Sequence, residues 1–144
     1  MSLELFFIIT LALAAVTFFV RNNAISHSLV FIHSIMLILL AVYLIQQQGD
    51  QLNGYFSSDR LGIIFFIVLI IINVISAIHY ITYVQLRQVA TGFVALHNAG
   101  YIFFTGAITG VLFTSHFGTL WAFMEATTLG ASVLIYHDRT HESL

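Results

Sequence analysis

The chain contains no cysteine and no lysine, and charged residues make up only 7% of its 144 positions. Without cysteine there are no disulfides, thiolate metal sites or cysteine nucleophiles, and nothing reports the redox compartment. Four arginines against six acidic residues give a formal net charge of −2, which leaves no basic patch for nucleic acid. What the chain has instead is hydrocarbon: 60% of its residues are hydrophobic and the mean hydropathy is +1.00. Such a composition predicts an integral membrane protein. The length leaves no room for a membrane part together with a soluble domain of ordinary size.

Five apolar runs approach the ~20 residues that a tilted helix needs to cross a bilayer. They extend from Leu3 to Val20, Ser28 to Gln46, Leu61 to Val84, Thr91 to Thr114 and Phe117 to Tyr136. The last two must be separate, because the uncharged stretch from Gln88 to Met124 would be about 55 Å long as one helix. Ser115-His116-Phe117-Gly118-Thr119 is the turn between them. The runs are continuously apolar rather than alternating, which favours helices over a barrel. The expected architecture is all-α: a single membrane domain over 1–144 with five transmembrane helices, neighbours antiparallel.

The first run is signal-peptide-like in length, but Glu4 precedes it where a basic segment belongs and Arg21 follows, so it reads as a retained helix. Arg21, Arg87 and Arg139 fall on one side of an odd-numbered bundle and Arg60 on the other. By the positive-inside rule the N-terminus is outside and the C-terminus cytoplasmic. The segment 47–60 reads as an exposed loop whose Ser57-Ser58-Asp59 cluster caps the third helix.

Glu125 is the only acidic residue inside a long apolar stretch. A charged, unpaired carboxylate at bilayer depth costs about 2.5–3.5 kcal/mol even on the lenient insertion scale, which makes it a candidate for an ion pathway. Gly118, Trp121, Glu125, Thr128 and Ser132 share one face of the fifth helix, and that face is expected to point into protein. The competing reading is a neutral glutamic acid bonded to a hydroxyl as helix glue. Of seven histidines, His33, His79 and His97 lie in or beside spans. Imidazoles there relay protons, ligate haem or simply bond neighbouring helices. His137 and His141, at i and i+4, form a weak metal clamp if the tail is helical. Asn73, Ser76 and Tyr80 draw a polar line on the third helix, suited to interhelical hydrogen bonds or to water. Gly106-x-x-x-Gly110 is a small-residue spacing for close helix approach. Trp121 and the tyrosines are candidate interface markers.

Three blocks carry a family likeness: Ser58-Asp59-Arg60-Leu61-Gly62, then Phe113-Thr114, then Leu120-Trp121-Ala122-Phe123-Met124-Glu125-Ala126-Thr127-Thr128-Leu129-Gly130-Ala131-Ser132-Val133-Leu134-Ile135-Tyr136-His137. In these the chain resembles the start of the antiporter-like subunits shared by Mrp-type sodium/proton antiporters, respiratory complex I and energy-converting membrane hydrogenases. The hydrogenase-type branch is the nearest in likeness. The last block is fairly specific, whereas the first two spans resemble many membrane helices.

The resemblance implies that Glu125 is the family's proton-handling glutamate, with Thr128, Ser132, His79 and His97 as path neighbours. It also implies an incomplete antiporter-like fold, since the family's core is two inverted five-helix repeats beginning at the fourth helix. The family's lysine partners on later helices have no counterpart here. A split subunit is therefore expected, its remaining helices on another chain, or else a shortened copy with a structural role. The implied function is a non-catalytic membrane subunit of a complex I-like or membrane-hydrogenase-like assembly in a prokaryotic inner membrane. It would contribute to proton or sodium translocation beside redox subunits, bind no cofactor or metal, and contact no nucleic acid. The alternatives are a membrane cytochrome b anchor, with histidines such as His33, His79 or His97 on haem, and a spacer subunit without transport.

Overall fold

The computed structural model describes residues 3–47, 51–52, 54–87 and 89–136. The described residues are all-α apart from one small hairpin: α1 (Leu3–Phe19), α2 (Asn23–Gln46), α3 (Arg60–Arg87), α4 (Thr91–Phe113) and α5 (Phe117–Tyr136). Four of the helices, α2 to α5, are long and apolar enough to cross a membrane. The first expected span, α1, is an apolar helix of 17 residues, shorter than the others. The two histidines of the expected metal clamp, His137 and His141, and Arg139 lie outside the described residues.

Local chemistry sets the helix starts. The Asn22 side chain accepts a hydrogen bond from Ala24 N at 3.0 Å, so α2 starts at Asn23 rather than at Ser28. Asp59 Oδ1 accepts from Gly62 N at 3.1 Å and caps α3, while His116 Nδ1 accepts from Gly118 N at 3.2 Å at the start of α5. Gly62 has a second reason to lack a side chain, because a Cβ there would stand 3.0 Å from Leu112 O of α4.

The segment expected as an exposed loop is partly built into the fold. Residues 51–52 (β1) and 56–57 (β2) form an antiparallel hairpin with Gly54 at φ +67°, a left-handed conformation that favours glycine. Phe56 of β2 is buried against Phe7 and Phe123, with ring centroids at 5.4 and 6.3 Å. Ser58 is buried too, its hydroxyl donating to Leu44 O. The hairpin docks on the α4–α5 turn: Ser115 N donates to Tyr55 O at 2.8 Å, and the Thr114 hydroxyl bonds Tyr55 O and pairs with Thr119.

Helix α4 is the centre of the bundle and the most buried helix, in contact with α1, α2, α3 and α5. Its glycines make this possible. A Cβ at Gly106 would stand 2.6 Å from Thr10 Cγ2 of α1, one at Gly100 would stand 2.7 Å from Val133 Cγ1 of α5, and one at Gly110 would enter the Phe123 ring. The two glycines of the Gly106-x-x-x-Gly110 spacing thus serve two different neighbours, α1 and α5. From α5, Gly130 returns the contact against Phe104.

The interior has two unlike halves. At the end holding the hairpin, Leu3, Phe6, Leu37, Leu40, Leu44, Phe56, Ile63, Phe66 and Phe113 make a continuous apolar core. At the end where α2 and α4 begin, the apolar cluster is small, Ala14, Val30, Ala77 and Ile102, and polar side chains fill the rest. The outer surface is apolar as well: Ile8, Leu11, Ile64, Phe65, Ile71, Ile72, Ile75 and Ile78 are all exposed. Apolar surface on this scale is foreign to a water-soluble monomer.

Candidate functional site

Helix α5 is the least buried of the four long helices. Phe123, Ala126, Gly130 and Val133 face the rest of the bundle, whereas Trp121, Met124, Glu125, Thr128, Leu129 and Ser132 are exposed. The face expected to point into protein therefore points away from the other four helices. Packing explains the direction, because Gly130 on the opposite face permits a closer approach to α4 than Trp121 or Met124 would allow.

The Glu125 carboxyl group has no hydrogen-bond or ion-pair partner among the described residues. Its neighbours on the same face keep their hydroxyl hydrogens on their own helix: Thr128 Oγ1 donates to Glu125 O and Ser132 Oγ to Leu129 O, both at 2.7 Å. Their outward lone pairs remain as acceptors. The exposed strip can thus accept protons or hydrogen bonds along about two turns of helix, and it carries one titratable carboxyl group.

The histidines occupy three different surroundings. His79 is exposed on α3. The His97 ring stacks on Tyr80 at a centroid distance of 3.5 Å and an interplanar angle of 12°, with Tyr101 beyond it at 6.2 Å. His33 is fully buried between α1 and α4, where its Nε2 lies 3.0 Å from Thr105 Oγ1 and its ring stacks with Phe6 at 6.0 Å. Neither His79 nor His97 is brought into the Glu125 strip, and no two of the three face each other as axial haem ligands would. Among the described residues no group of three or more metal-ligating side chains is assembled.

The expected polar line on α3 has partners. Asn73 Nδ2 donates to Ser34 Oγ at 2.8 Å, and the Tyr101 hydroxyl donates to Asn73 O at 2.6 Å. One level away, Asn98 Nδ2 donates to Ser26 Oγ at 2.8 Å and lies 3.3 Å from His27 Nδ1. Ser26, Ser34, Asn98 and Thr105 escape a residue-by-residue sequence reading, since each is a common polar residue in an apolar helix. A signal for them exists: Asn98 and Thr105 stand seven apart with Tyr101 between, a heptad-like polar stripe facing a partner helix. A second feature, a groove of about 170 Å³ between α1, α4 and α5, is lined by Phe7, Leu11, Phe103 and Phe123 and is almost wholly apolar. No family model, curated protein or solved structure matches the chain.

Proposed function

We propose that the chain is a membrane subunit of a complex I-like or membrane-hydrogenase-like ion-translocating assembly, in which Glu125 loads and releases a proton. The observation that carries this reading is the carboxyl group near the middle of α5, exposed on an apolar helix and without a partner among the described residues. In hydrocarbon that arrangement is costly, and a basic or hydrogen-bonding group from a neighbouring subunit relieves it. A cation approaching the carboxylate lowers its proton affinity, and withdrawal into apolar surroundings raises it. Alternation between the two states moves a proton. Thr128 and Ser132, with lone pairs on the same strip, are placed to hold water beside the carboxyl group. The chain's own role is to position Glu125; the redox chemistry and the basic partner belong to other subunits.

Glu125→Gln preserves shape and hydrogen bonding while removing the titrating charge. In vesicles carrying the assembled complex, redox-driven proton uptake or membrane potential should fall sharply in this variant, with subunit content unchanged. Glu125→Asp should be milder, since the charge remains and retracts by one methylene. If Glu125→Gln assembles and pumps as the parent does, the carboxyl group is off the pathway and a spacer subunit is the better reading.

A further inference from the structure

We infer that His33 is a second proton-binding site, in the middle of the bundle, and that water reaches it from one side only, the end where α2 and α4 begin. This site shares with the proposed function only the membrane setting and does not involve Glu125.

The hydrogen-bond network favours one state of the His33 ring. Thr105 Oγ1 lies 2.9 and 3.1 Å from the Tyr101 and Ile102 carbonyls. With its one hydrogen on either of them it accepts from His33 Nε2, the tautomer that carries the hydrogen there. Nδ1 is then a lone pair, buried and without a donor among the described residues. A second orphan belongs to the residue bonded to Ser34, which follows His33 on α2. Ser34 Oγ donates to Val30 O at 3.0 Å and so accepts from Asn73 Nδ2, which leaves Asn73 Oδ1 as a buried acceptor also lacking a donor. Two buried acceptors cannot satisfy each other. Water, which supplies two hydrogens, satisfies acceptors of this kind.

The route is visible in the packing. Val30, Ser76, Ala77, Tyr80, His97, Asn98 and Tyr101 line a cavity of about 10 Å³, room for roughly one water molecule. From there polar groups continue inward: the Tyr101 hydroxyl bonds Asn73 O, the Asn73 side chain bonds Ser34, and Ser34 is the residue that follows His33 along α2. Beyond His33 the large buried side chains are Phe6, Leu37, Leu40, Leu44, Phe66 and Phe113, and the hydroxyls among them, Thr109 and Ser58, are each bonded to a backbone carbonyl. That apolar plug closes the other side. Facing the imidazole are Phe6 from α1 and Thr105 from α4, and the titratable groups along the approach are Tyr80, His97, Tyr101 and His27. A proton arriving through water binds at Nδ1, giving the imidazolium while Nε2–H stays on Thr105, and leaves by the same way. No other bond changes.

The test uses the full chain, labelled with ¹⁵N-histidine, in lipid bilayers, with bulk water as the probe. In water-edited solid-state NMR the His33 signal is identified by its loss in His33→Gln. The expected result is rapid magnetisation transfer from water to the His33 ring, with an Nδ1 shift that follows bulk pH. Asn73→Leu and Ala77→Val, which replace the orphan acceptor by hydrocarbon and fill the cavity, should each slow that transfer several-fold while leaving exposed His116 unchanged. A His33 ring as dry as a buried methyl group in the parent chain overturns the inference. So does transfer that neither variant changes. Neither result bears on Glu125, whose own test is pumping by the assembled complex.

Discussion

Gly92 and Gly100 stand about two turns apart on α4, yet a methyl group added at the two has opposite consequences. Around Gly92 there is open space within 4 Å, whereas a Cβ at Gly100 would meet Val133 Cγ1 at 2.7 Å and Val133 Cβ at 3.2 Å. Gly92→Ala therefore gains up to about 0.5–1 kcal/mol from the lost backbone freedom of the unfolded chain. Gly100→Ala pushes α5 off α4 and costs about 1–3 kcal/mol through overpacking. The two variants should shift the midpoint of SDS-induced unfolding in opposite directions. The distinction matters for the candidate site, because the close α4–α5 contact is what turns Glu125 outward. Loosening it should also let α5 rotate.

At the scale of elements, the long helices were legible because lipid-like composition leaves the backbone no hydrogen-bond partner outside its own segment. Their ends were less so. Helix α2 starts five residues before the expected span, where the Asn22 side chain caps it, and α3 continues through the polar Gln85 and Arg87, which hydropathy counts against a helix. The polar strip on α5 was legible from helical spacing, but its direction was not. Periodicity defines a face, and only the glycines of the neighbouring helix decide which face packs. The His33 network was invisible for a similar reason, since each of its bonds joins residues from different helices. The hairpin was missed because its few residues gain their burial from α1 and α5. Phe56→Ala should accordingly cost about 3 kcal/mol by leaving a cavity beside Phe7 and Phe123. Amide exchange at Ser115 should quicken, as its bond to Tyr55 O is undone. Unchanged exchange there would mean that the hairpin is held by its backbone bonds alone.

The whole molecule is polarised along its helices. Antiparallel packing puts the hairpin, the α4–α5 turn and the start of α1 at one end, with the apolar plug beneath them. Arg21 and Arg87 lie at the other end, where the polar cavity begins. Arginine is retained preferentially on the cytoplasmic side, so the wet half of the bundle should open to the cytoplasm and the hairpin should face outward. Because the chain has no cysteine of its own, single cysteines report this without background. Tyr55 and Asn22 are both exposed, one on the hairpin and one at the α2 cap. In intact cells Tyr55→Cys should react with a membrane-impermeant thiol reagent, and Asn22→Cys should react only after the membrane is opened. The reverse pattern would invert the bundle. His33 would then exchange protons with the outside, and the arginine asymmetry would have misjudged the topology.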